Sequence, residues 1–512
     1  MPASEAPADV VVIGGGPVGL TGALLLARYG LRVVVFEREP APFPHPRAIH
    51  LDGDGVRLFR ALGLWDRVEP TTAHVPGMTF RGARGQALFT IGADASGDPA
   101  AEHGTVFWQP ALEAALRDAL AAEPTASLVA GTEVERIRPV SGGAEVVARG
   151  AAGECRVRAR FVLACDGAGS PTRRRLGIGL ETLGPSARWL VVDAHVREPD
   201  ALPALAQQFC DPQRPATFVP GGGLHRRWEF RWPERHDPSP ADIDRLLAAH
   251  VPPDRVEVIR AAVYRFRSAL AARWRHGPVL LAGDAAHQMP PFLGQGLASG
   301  LRDVRALAWR LALVHRGADA AGLLASWEAE RRAHVRTAIE RTVAAGRLIQ
   351  LQRGATMRDG AFRLLGRIPR LLDGAVQHAA RHPPLRGTGV GSGLPLAGRL
   401  APDGRVHGPQ GDEPLDRALL RGFAVLAPTP LPPEAARRWQ RVGGQVLTPL
   451  TPALRAWTGG RAALLRPDGY AHGVVRETSR VEFERVLADV YRAAGRPRLL
   501  RLPYHAVWPA AG

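Results

Sequence analysis

Short, fully apolar segments alternate with a longer helical segment near the start of the chain. Val10–Ile13 and Val33–Phe36 are uninterrupted runs of Val, Ile and Phe, which predicts strands that are buried on both faces. Between them, about Gly19 to Tyr29 has the length and composition of a helix, and Gly30 follows as a C-terminal stop. The pattern predicts a βαβ unit in which the two strands are parallel.

Elsewhere the pattern changes between strand-like and helix-like periods. Arg227–Trp232 alternates strictly, with Trp228, Phe230 and Trp232 on one side and charged residues on the other, which predicts a half-buried antiparallel strand. A Pro/Gly-rich stretch at about 383–404 predicts a linker. The other predicted elements are a helix at Pro110–Leu120, strands at Arg158–Ala164 and Val279–Ala282, and helices at about Gly296–Arg316 and Ser326–Gln352.

Composition narrows the class of protein without identifying it. The formal net charge of +17 comes from Arg alone, because the sequence contains no Lys, and the Arg are spread along the chain without a nucleic-acid motif. Nucleic acid is therefore not an expected partner. The apolar stretch Val10–Ala27 is broken by glycines and preceded by Asp9, so no membrane segment is expected. The cysteines Cys155, Cys165 and Cys210 form no C-x-x-C pair, which fits a reducing, cytoplasmic location.

A glycine motif joins the first predicted strand to the first helix. Gly14 permits a tight turn, Gly16 lets backbone amides approach a pyrophosphate, and Gly19 allows the helix to pack closely on the strand. Glu37 ends the second strand, where its carboxylate can accept hydrogen bonds from a ribose. The motif predicts a dinucleotide site; a ligand-free glycine turn is the alternative, and FAD and NAD are not distinguished.

A second group of turn residues lies nearly 270 residues further along the chain. Asp284 follows the predicted strand Val279–Ala282, at the carboxyl end where ligands bind in open α/β sheets. Pro290-Pro291 and then Gly294-Gln295-Gly296 precede a helix, whose N-terminal amides can bind an electron-rich group. Two nucleotide-contacting motifs this far apart suit one long ligand, and they favour FAD.

With both motifs in place, the chain resembles the class A flavoprotein aromatic monooxygenases, the para-hydroxybenzoate hydroxylase superfamily. The resemblance covers about residues 8–350 and is strongest in the run GDAAHQMPPFLGQG, which begins at Gly283. It also includes Arg47-Ala48, Gln109-Pro110 and Asp166-Gly167. Within the superfamily the sequence is most similar to the 3-(3-hydroxyphenyl)propionate hydroxylase-like enzymes and to polyketide-tailoring hydroxylases.

The resemblance implies a set of site residues, without naming a catalytic group or a metal ligand. The loop at Pro290 and Pro291 is expected near the reacting edge of the flavin ring. Asp166 has a plainer interpretation as a local cap, and His287 as a packed, hydrogen-bonded histidine. The expected FAD contacts are Gly14, Gly16, Gly19, Glu37, Arg38, Arg47, Gln109, Val134, Asp166, Asp284, Pro291, Gly294, Gly296 and Leu297. The substrate candidates are Trp228, Phe230, Pro290 and Phe292, of which Trp228 and Phe230 could equally be core residues.

The fold class implied is α/β, with a Rossmann-like FAD-binding domain, an interleaved antiparallel-sheet substrate domain and a C-terminal thioredoxin-like domain. The FAD-binding domain with its long helices is expected at 1–180 and 276–385, with a sheet insert at about 72–105. The substrate-binding sheet domain is expected at 181–275, and the thioredoxin-like domain, which lacks cysteines, at 400–512. A homodimer is one option for its assembly.

The resemblance also implies the reaction. NAD(P)H would dock transiently to reduce FAD, because no second G-x-G-x-x-G unit is present, and reduced flavin would add O2 to give a C4a-hydroperoxide. That species would hydroxylate a phenolic or polyketide-like aromatic substrate. Alternatives on the same fold are a Baeyer–Villiger or epoxidising monooxygenase, a flavin dehydrogenase that does not use O2, and a binding module without catalysis. The sequence leaves open the substrate, the catalytic base and the choice of NADH or NADPH.

Overall fold

Three β-sheets of six or eight strands organise the chain in the computed structural model, beside one small three-stranded sheet in its described part. The structure describes residues 7–92, 104–368, 383–387, 394–441, 443–475, 502 and 504. The helices are α1 (Pro17–Arg28), α2 (Gly53–Ala61), α3 (Trp65–Val68), α4 (Gln109–Ala121), α5 (Pro171–Arg175), α6 (Pro240–Ala248), α7 (Gly296–His315), α8 (Ala320–Ile349), α9 (Ala355–Gly366), α10 (Leu415–Leu419), α11 (Pro433–Arg441) and α12 (Pro452–Thr458).

The strands fall into three stretches of sequence. The first stretch contains β1 (Ala8–Ile13), β2 (Val33–Phe36), β3 (His50–Leu51), β4 (Thr72–Ala73), β5 (Met78–Arg81), β6 (Ala87–Ile91), β7 (Thr105–Phe107), β8 (Ala126–Val129), β9 (Thr132–Val140), β10 (Gly143–Gly150) and β11 (Gly153–Ala164). The second contains β12 (Leu180–Val196), β13 (Ala206–Phe209), β14 (Ala216–Pro220), β15 (His225–Arg231), β16 (Val256–Ala271), β17 (Arg275–His276), β18 (Val279–Leu281) and β19 (His287–Gln288). The third contains β20 (Arg405–Gly408), β21 (Gly411–Pro414), β22 (Ala424–Leu426), β23 (Gln445–Pro449), β24 (Ala462–Leu465) and β25 (Ala471–Val475).

The first sheet confirms the predicted βαβ unit. Its main strands run in the order β17-β18-β11-β1-β2-β8, and β1 is parallel to both β2 and β11. The apolar runs are buried as expected, with Val10, Val11 and Val12 fully inaccessible to solvent. Helix α1 packs against α7, and at Gly22 a side chain would press on Val304 of α7. The carboxyl ends of β1, β11 and β18 therefore meet at one edge, where turn residues from distant parts of the sequence come together.

The second sheet is mostly antiparallel and runs in the order β19-β16-β12-β15-β14-β13-β5-β6. Strands β5 and β6, from the predicted insert at 72–105, extend it; residues 93–103 lie outside the described part. One face of this sheet packs under helix α6 and carries Trp228, Phe230 and Trp232, which are at most 3% exposed, against Leu247. We call this the outer face of the second sheet.

The opposite side, which we call the inner face, is turned toward the first sheet. Because residues paired across neighbouring strands point to the same side, the register places Asp193 with Arg227, Val191 with Glu229 and Trp189 with Tyr264 there. The prediction of a half-buried strand at 227–232 was wrong in one respect. Arg227 is 2% exposed, because the FAD-binding half of the chain covers its polar side.

The third sheet lies in the C-terminal part, in the order β21-β20-β23-β22-β24-β25. Strands β22 and β23 are parallel, and the other pairs are antiparallel. Buried ion pairs fasten this part to the helices of the first half, since Asp416 bonds to both Arg57 and Arg305. Trp309 on α7 donates a hydrogen bond from Nε1 to Asp468.

Candidate flavin site

The turn after β1 has the backbone that a pyrophosphate site requires. Gly14 has φ +104, and a Cβ there would lie 2.5 Å from the Cys165 carbonyl oxygen. A Cβ at Gly19 would lie 2.0 Å from the Gly14 carbonyl oxygen, so only glycine lets α1 begin this close to the strand. A Cβ at Gly16, by contrast, would meet no protein atom within 4 Å. The amides around Gly16 therefore face open space at the N-terminus of a helix, which favours an anion.

Glu37 lies beside this turn at the end of β2. Its carboxylate accepts hydrogen bonds from the backbone N–H of Gly15 and, at 2.9 Å, of Glu39. The Glu37 carbonyl accepts from Thr132 N at 2.8 Å, which brings the start of β9 and nearby Val134 to the same edge. The side chain of Val134 is buried in the core, whereas that of Arg38 is exposed and pairs with Glu39. At this edge a ligand could therefore contact the backbone near Val134 but not the Val134 side chain.

Gln109 holds the loop that carries Arg47. Its Oε1 accepts hydrogen bonds from Arg47 N (3.1 Å) and Ala48 N (2.7 Å), and its Nε2 donates to Glu113 at 2.7 Å. Burial raises the pKa of the Glu113 carboxyl. The Arg47 side chain is exposed and lies over the Phe43 ring. Gln109 is therefore a residue that positions the Arg47 loop, and a contact between Arg47 and the cofactor stays a prediction.

Asp284 projects from the turn that follows β18. A short 3-10 turn, Gly283–Ala285, presents it at the carboxyl edge of the first sheet. In the described part of the chain its carboxylate accepts no hydrogen bond and makes no ion pair, and the residue is exposed. A carboxylate without a protein partner, placed beside open space, suits the hydroxyls of a ribityl chain.

A buried network supports the Asp284 turn from behind. Asp303 of α7 is fully buried and accepts hydrogen bonds from Gly283 N (3.0 Å), His287 Nε2 (2.7 Å) and Arg331 Nε (2.9 Å). Burial would raise the pKa of Asp303, but His287 and Arg331 hold it below its usual value. His287 is itself fully buried and stacks on Trp274, with ring centroids 5.4 Å apart. The structure places His287 as a packed, hydrogen-bonded histidine.

The loop between β19 and α7 brings several predicted residues together. Pro291–Leu293 forms a 3-10 turn, Gly294 follows with φ +63, and α7 begins at Gly296. Leu297, next in the helix, packs partly against the main core. The Phe292 ring lies against Trp189 of the inner face, with centroids 5.5 Å apart. This loop therefore lies between the first sheet and the inner face, with Pro290 at its buried start.

Two of the substrate candidates lie elsewhere. Trp228 and Phe230 are on the outer face, 1% and 2% exposed, and pack in the core under α6. The same strand presents Arg227 and Glu229 to the inner face, and Arg227 donates to the Pro46 and Arg47 carbonyls at 2.8 and 3.0 Å. Trp228 and Phe230 are therefore core residues, and their prediction as substrate contacts was wrong. Sequence alternation identified the two sides of the strand but not which one faces the site.

Asp166 is occupied locally. Its carboxylate accepts hydrogen bonds from Ser170 Oγ and from Thr172 N, which caps the short helix α5. This is the plainer of its two interpretations. A contact between Asp166 and a bound cofactor stays a prediction.

Together these residues fit FAD. The open amides at Gly16 suit the pyrophosphate, Glu37 the adenosine ribose, and the unpartnered Asp284 the ribityl chain. All three lie at the carboxyl edge of one sheet, after β1, β2 and β18. Among the residues that the structure describes, no group of three or more His, Cys, Asp or Glu could hold a metal ion. Within the same residues, no helix is long and apolar enough to span a bilayer. The fold and the site define a flavin-binding oxidoreductase with a Rossmann-like parallel sheet, which has helices on one face and strands β9 and β10 on the other.

Comparison with known proteins narrows this class. The family described as "FAD binding domain" matches residues 7–342. A probable NADH-specific resorcinol 4-hydroxylase of Rhodococcus jostii is 32% identical over 92% of this chain and 92% of its own length. The 3-(3-hydroxy-phenyl)propionate/3-hydroxycinnamic acid hydroxylase of Mycolicibacterium smegmatis is 34% identical over 89% of this chain and 84% of its own. The flavin-dependent monooxygenase PieE, solved with FAD and substrate, shares the fold with a TM-score of 0.80 at 22% identity, covering 97% of this chain and all of PieE.

The chain belongs to this FAD-binding family, the class A flavoprotein aromatic monooxygenases. It is an FAD-dependent enzyme of the aromatic hydroxylase type. The resemblance stated from the motifs alone is thereby confirmed.

Proposed function

We propose that the chain hydroxylates a phenolic or polyketide-like aromatic compound, using FAD, NAD(P)H and O2. The observation that carries this proposal is the aromatic surface between the two sheets. Tyr264 lies beside Trp189 on the inner face, and Phe292, from the loop that precedes α7, packs on Trp189. Trp189 is itself 1% exposed, so Tyr264 and Phe292 are the two of these rings that stay partly accessible to a ligand. Flat, apolar side chains facing a flavin edge suit an aromatic ring. The two relatives named above act, by their names, on small phenols.

The residues of this chain divide the work of binding and orientation. The Gly16 turn and Glu37 hold the adenosine diphosphate half of FAD. Asp284 holds the ribityl chain, and Asp303 fixes the Asp284 turn through its hydrogen bond from Gly283 N. When bound and reduced by NAD(P)H, FAD supplies the chemistry that transfers one oxygen atom of O2 to the ring. The inner face and the Phe292 loop enclose that step, which keeps out water that would waste the reductant.

No second dinucleotide motif is present in the sequence, so NAD(P)H docks transiently rather than residing in a pocket of its own. We assign residues 1–180 and 276–385 to the FAD-binding domain and 181–275 to the substrate sheet domain. The C-terminal part is proposed to be thioredoxin-like, which the parallel pair β22–β23 beside antiparallel β24 supports. It contains no cysteine, so its part is to pack against α7 through Asp416 and Asp468.

The experiment is a panel of phenols and fused-ring phenols tested for acceleration of NAD(P)H oxidation by the purified holoenzyme. The expected result is acceleration by at least one compound, with a product heavier by one oxygen atom on the ring. A lactone or epoxide would show the Baeyer–Villiger or epoxidising reaction instead. Substrate oxidation without O2 consumption would show a dehydrogenase, and either result would overturn the proposal.

A further inference from the structure

Glu229 is the one carboxylate of strand β15, and it lies on the inner face. The register places it between Val191 of β12 and Thr217 of β14. Two residues before Val191 on β12, Trp189 contacts Phe292. Two residues after Val191, Asp193 forms an ion pair with Arg227. Arg227 in turn holds the carbonyls of the Arg47 loop. Along the inner face, Glu229 thus lies between the contact with the Arg47 loop and the contact with the Phe292 loop.

Its surroundings leave this carboxylate uncommitted. Within the described residues, Glu229 accepts no hydrogen bond and forms no ion pair, although it is only partly accessible to solvent. Its neighbour Thr217 is already bonded to Gln208 at 3.0 Å, and Arg227 is bonded to Asp193. The Glu229 oxygens are not among the fully buried unpartnered atoms, so water can hydrate them in the free protein and a substrate hydroxyl can take the place of that water.

We propose that Glu229 accepts the hydrogen bond, and then the proton, of the hydroxyl group on the aromatic substrate. This inference rests on the proposed function and names the base that the sequence left unassigned. In the step, the substrate O–H bond breaks, its proton moves to a Glu229 carboxylate oxygen, and the electron pair stays on the phenolic oxygen. A phenolate ring is more electron-rich than a phenol ring, so it is attacked more readily by an electrophilic oxygen.

The electrostatic setting agrees with this role. Desolvation raises the pKa of the Glu229 carboxyl, Arg227 opposes the rise and Asp193 adds to it. A carboxyl with a raised pKa is a stronger base toward a phenol, and it becomes active as the pH rises through that pKa. The other charged or titratable groups that the register places on the same face are His195 on β12, His225 and Arg231 on β15, and Glu257, Arg260 and Tyr264 on β16, and Arg47 lies on the opposing loop.

The first test measures binding, so that it does not depend on turnover. Resorcinol and its dimethyl ether are titrated into the holoenzyme, and perturbation of the flavin absorbance reports binding. The wild-type protein should prefer resorcinol by at least about tenfold, because the ether has no proton to donate. Glu229→Gln should reduce that preference, and Glu257→Gln, on an exposed site of β16, should leave it unchanged. Equal preference in wild-type protein and Glu229→Gln would overturn the proposal.

The second test measures hydroxylation against pH. Glu229→Gln should keep its flavin and lose about 100-fold or more of kcat near neutral pH, since a positioned base typically contributes that much. Activity should return as the pH approaches the pKa of the free phenol, and Glu229→Asp should retain an intermediate rate. A lowered rate with an unchanged pH profile would mean a structural role and would refute the assignment.

The two tests separate this inference from the proposed function. If the wild-type protein discriminates the phenol from its ether, Glu229→Gln loses that preference and no oxygen is incorporated, the hydroxylase proposal fails while the assignment of Glu229 to the substrate hydroxyl stands. If the wild-type protein hydroxylates phenols and Glu229→Gln does so equally well at every pH, the assignment fails and the hydroxylase proposal stands.

Discussion

Replacing Gly16 by alanine should separate cofactor binding from folding. The Cβ of an alanine at this position would meet no protein atom within 4 Å. Gly16 has φ −80 and ψ 179, which alanine adopts without strain, and it is the N-cap residue of α1. Alanine is a somewhat poorer N-cap than glycine, but it also restricts the unfolded chain. These effects oppose each other, so the stability of the apoprotein should change by less than about 1 kcal/mol.

The same methyl group would occupy space that the pyrophosphate needs. It would separate the phosphate oxygens from the amides at the start of α1, and a hydrogen bond to a charged group contributes about 1.5–3 kcal/mol. The expected loss of FAD affinity is therefore roughly 10- to 150-fold. FAD binding to apoprotein would be followed by flavin fluorescence quenching, and stability by urea unfolding of the apoprotein.

Two variants serve as controls for Gly16→Ala. Gly19→Ala places its Cβ 2.0 Å from a backbone oxygen, which no rotamer change can relieve, so it should destabilise the apoprotein by about 1–3 kcal/mol as well as weaken FAD binding. Gly179→Ala, also in open space but ahead of β12, should change neither quantity. If Gly16→Ala bound FAD as tightly as the wild-type protein, the pyrophosphate could not lie at this turn.

Three further substitutions test the supports of the site. Asp284→Asn should weaken FAD binding by about tenfold or more. It should leave the unfolding free energy of the apoprotein nearly unchanged, because the carboxylate has no partner among the described residues. Unaltered FAD affinity would argue against a contact between Asp284 and FAD. Asp303→Asn removes the carboxylate that neutralises the buried Arg331 and should cost about 3–5 kcal/mol in unfolding free energy, with loss of flavin on purification as the second readout. A variant that is equally stable and retains its full complement of FAD would contradict this. Burial would raise the pKa of the Asp416 carboxyl, but Arg57 and Arg305 lower it to about 2. The ionised carboxylate therefore contributes fully to folding stability above the pKa that Asp has in the unfolded chain, and this contribution is lost as the pH falls toward about 2. Wild-type apoprotein should lose more stability than Asp416→Asn on acidification through that range, and parallel unfolding curves would be inconsistent with the ion pair.

Local sequence patterns predicted the parts of the fold that local physics determines. The apolar runs at β1 and β2 and the glycine turn between them can be read directly, because burial on both faces and a positive φ leave few alternatives. The helix predicted from about Ser326 begins at Ala320 instead, where Asp319 caps its first turn through two backbone amides. Leu323 and Leu324 are already buried one turn ahead of Trp327, so the apolar face begins before the predicted start, which was placed too late.

What the sequence could not predict depends on pairing between distant strands. Alternation along 227–232 separated two sides of a strand, but only the register of β15 with β12 shows that Glu229 faces Val191 and that Phe230 faces the α6 core. Trp189 lacked a signal of its own, since its role depends on contact with Phe292 about a hundred residues away in the chain. The role of Asp303 could not be predicted locally, because its hydrogen bond from Gly283 N, which fixes the Asp284 turn, joins residues twenty positions apart.

The central claim is that this chain transfers an oxygen atom from O2 to an aromatic ring. It is tested most directly by carrying out the reaction with the best phenol of the panel under isotopically heavy O2 in ordinary water. The account predicts a product that carries one heavy oxygen atom bound to a ring carbon, formed only with FAD and NAD(P)H present. A product whose new oxygen comes from water, or oxidation of the phenol with no oxygen gained, would contradict it.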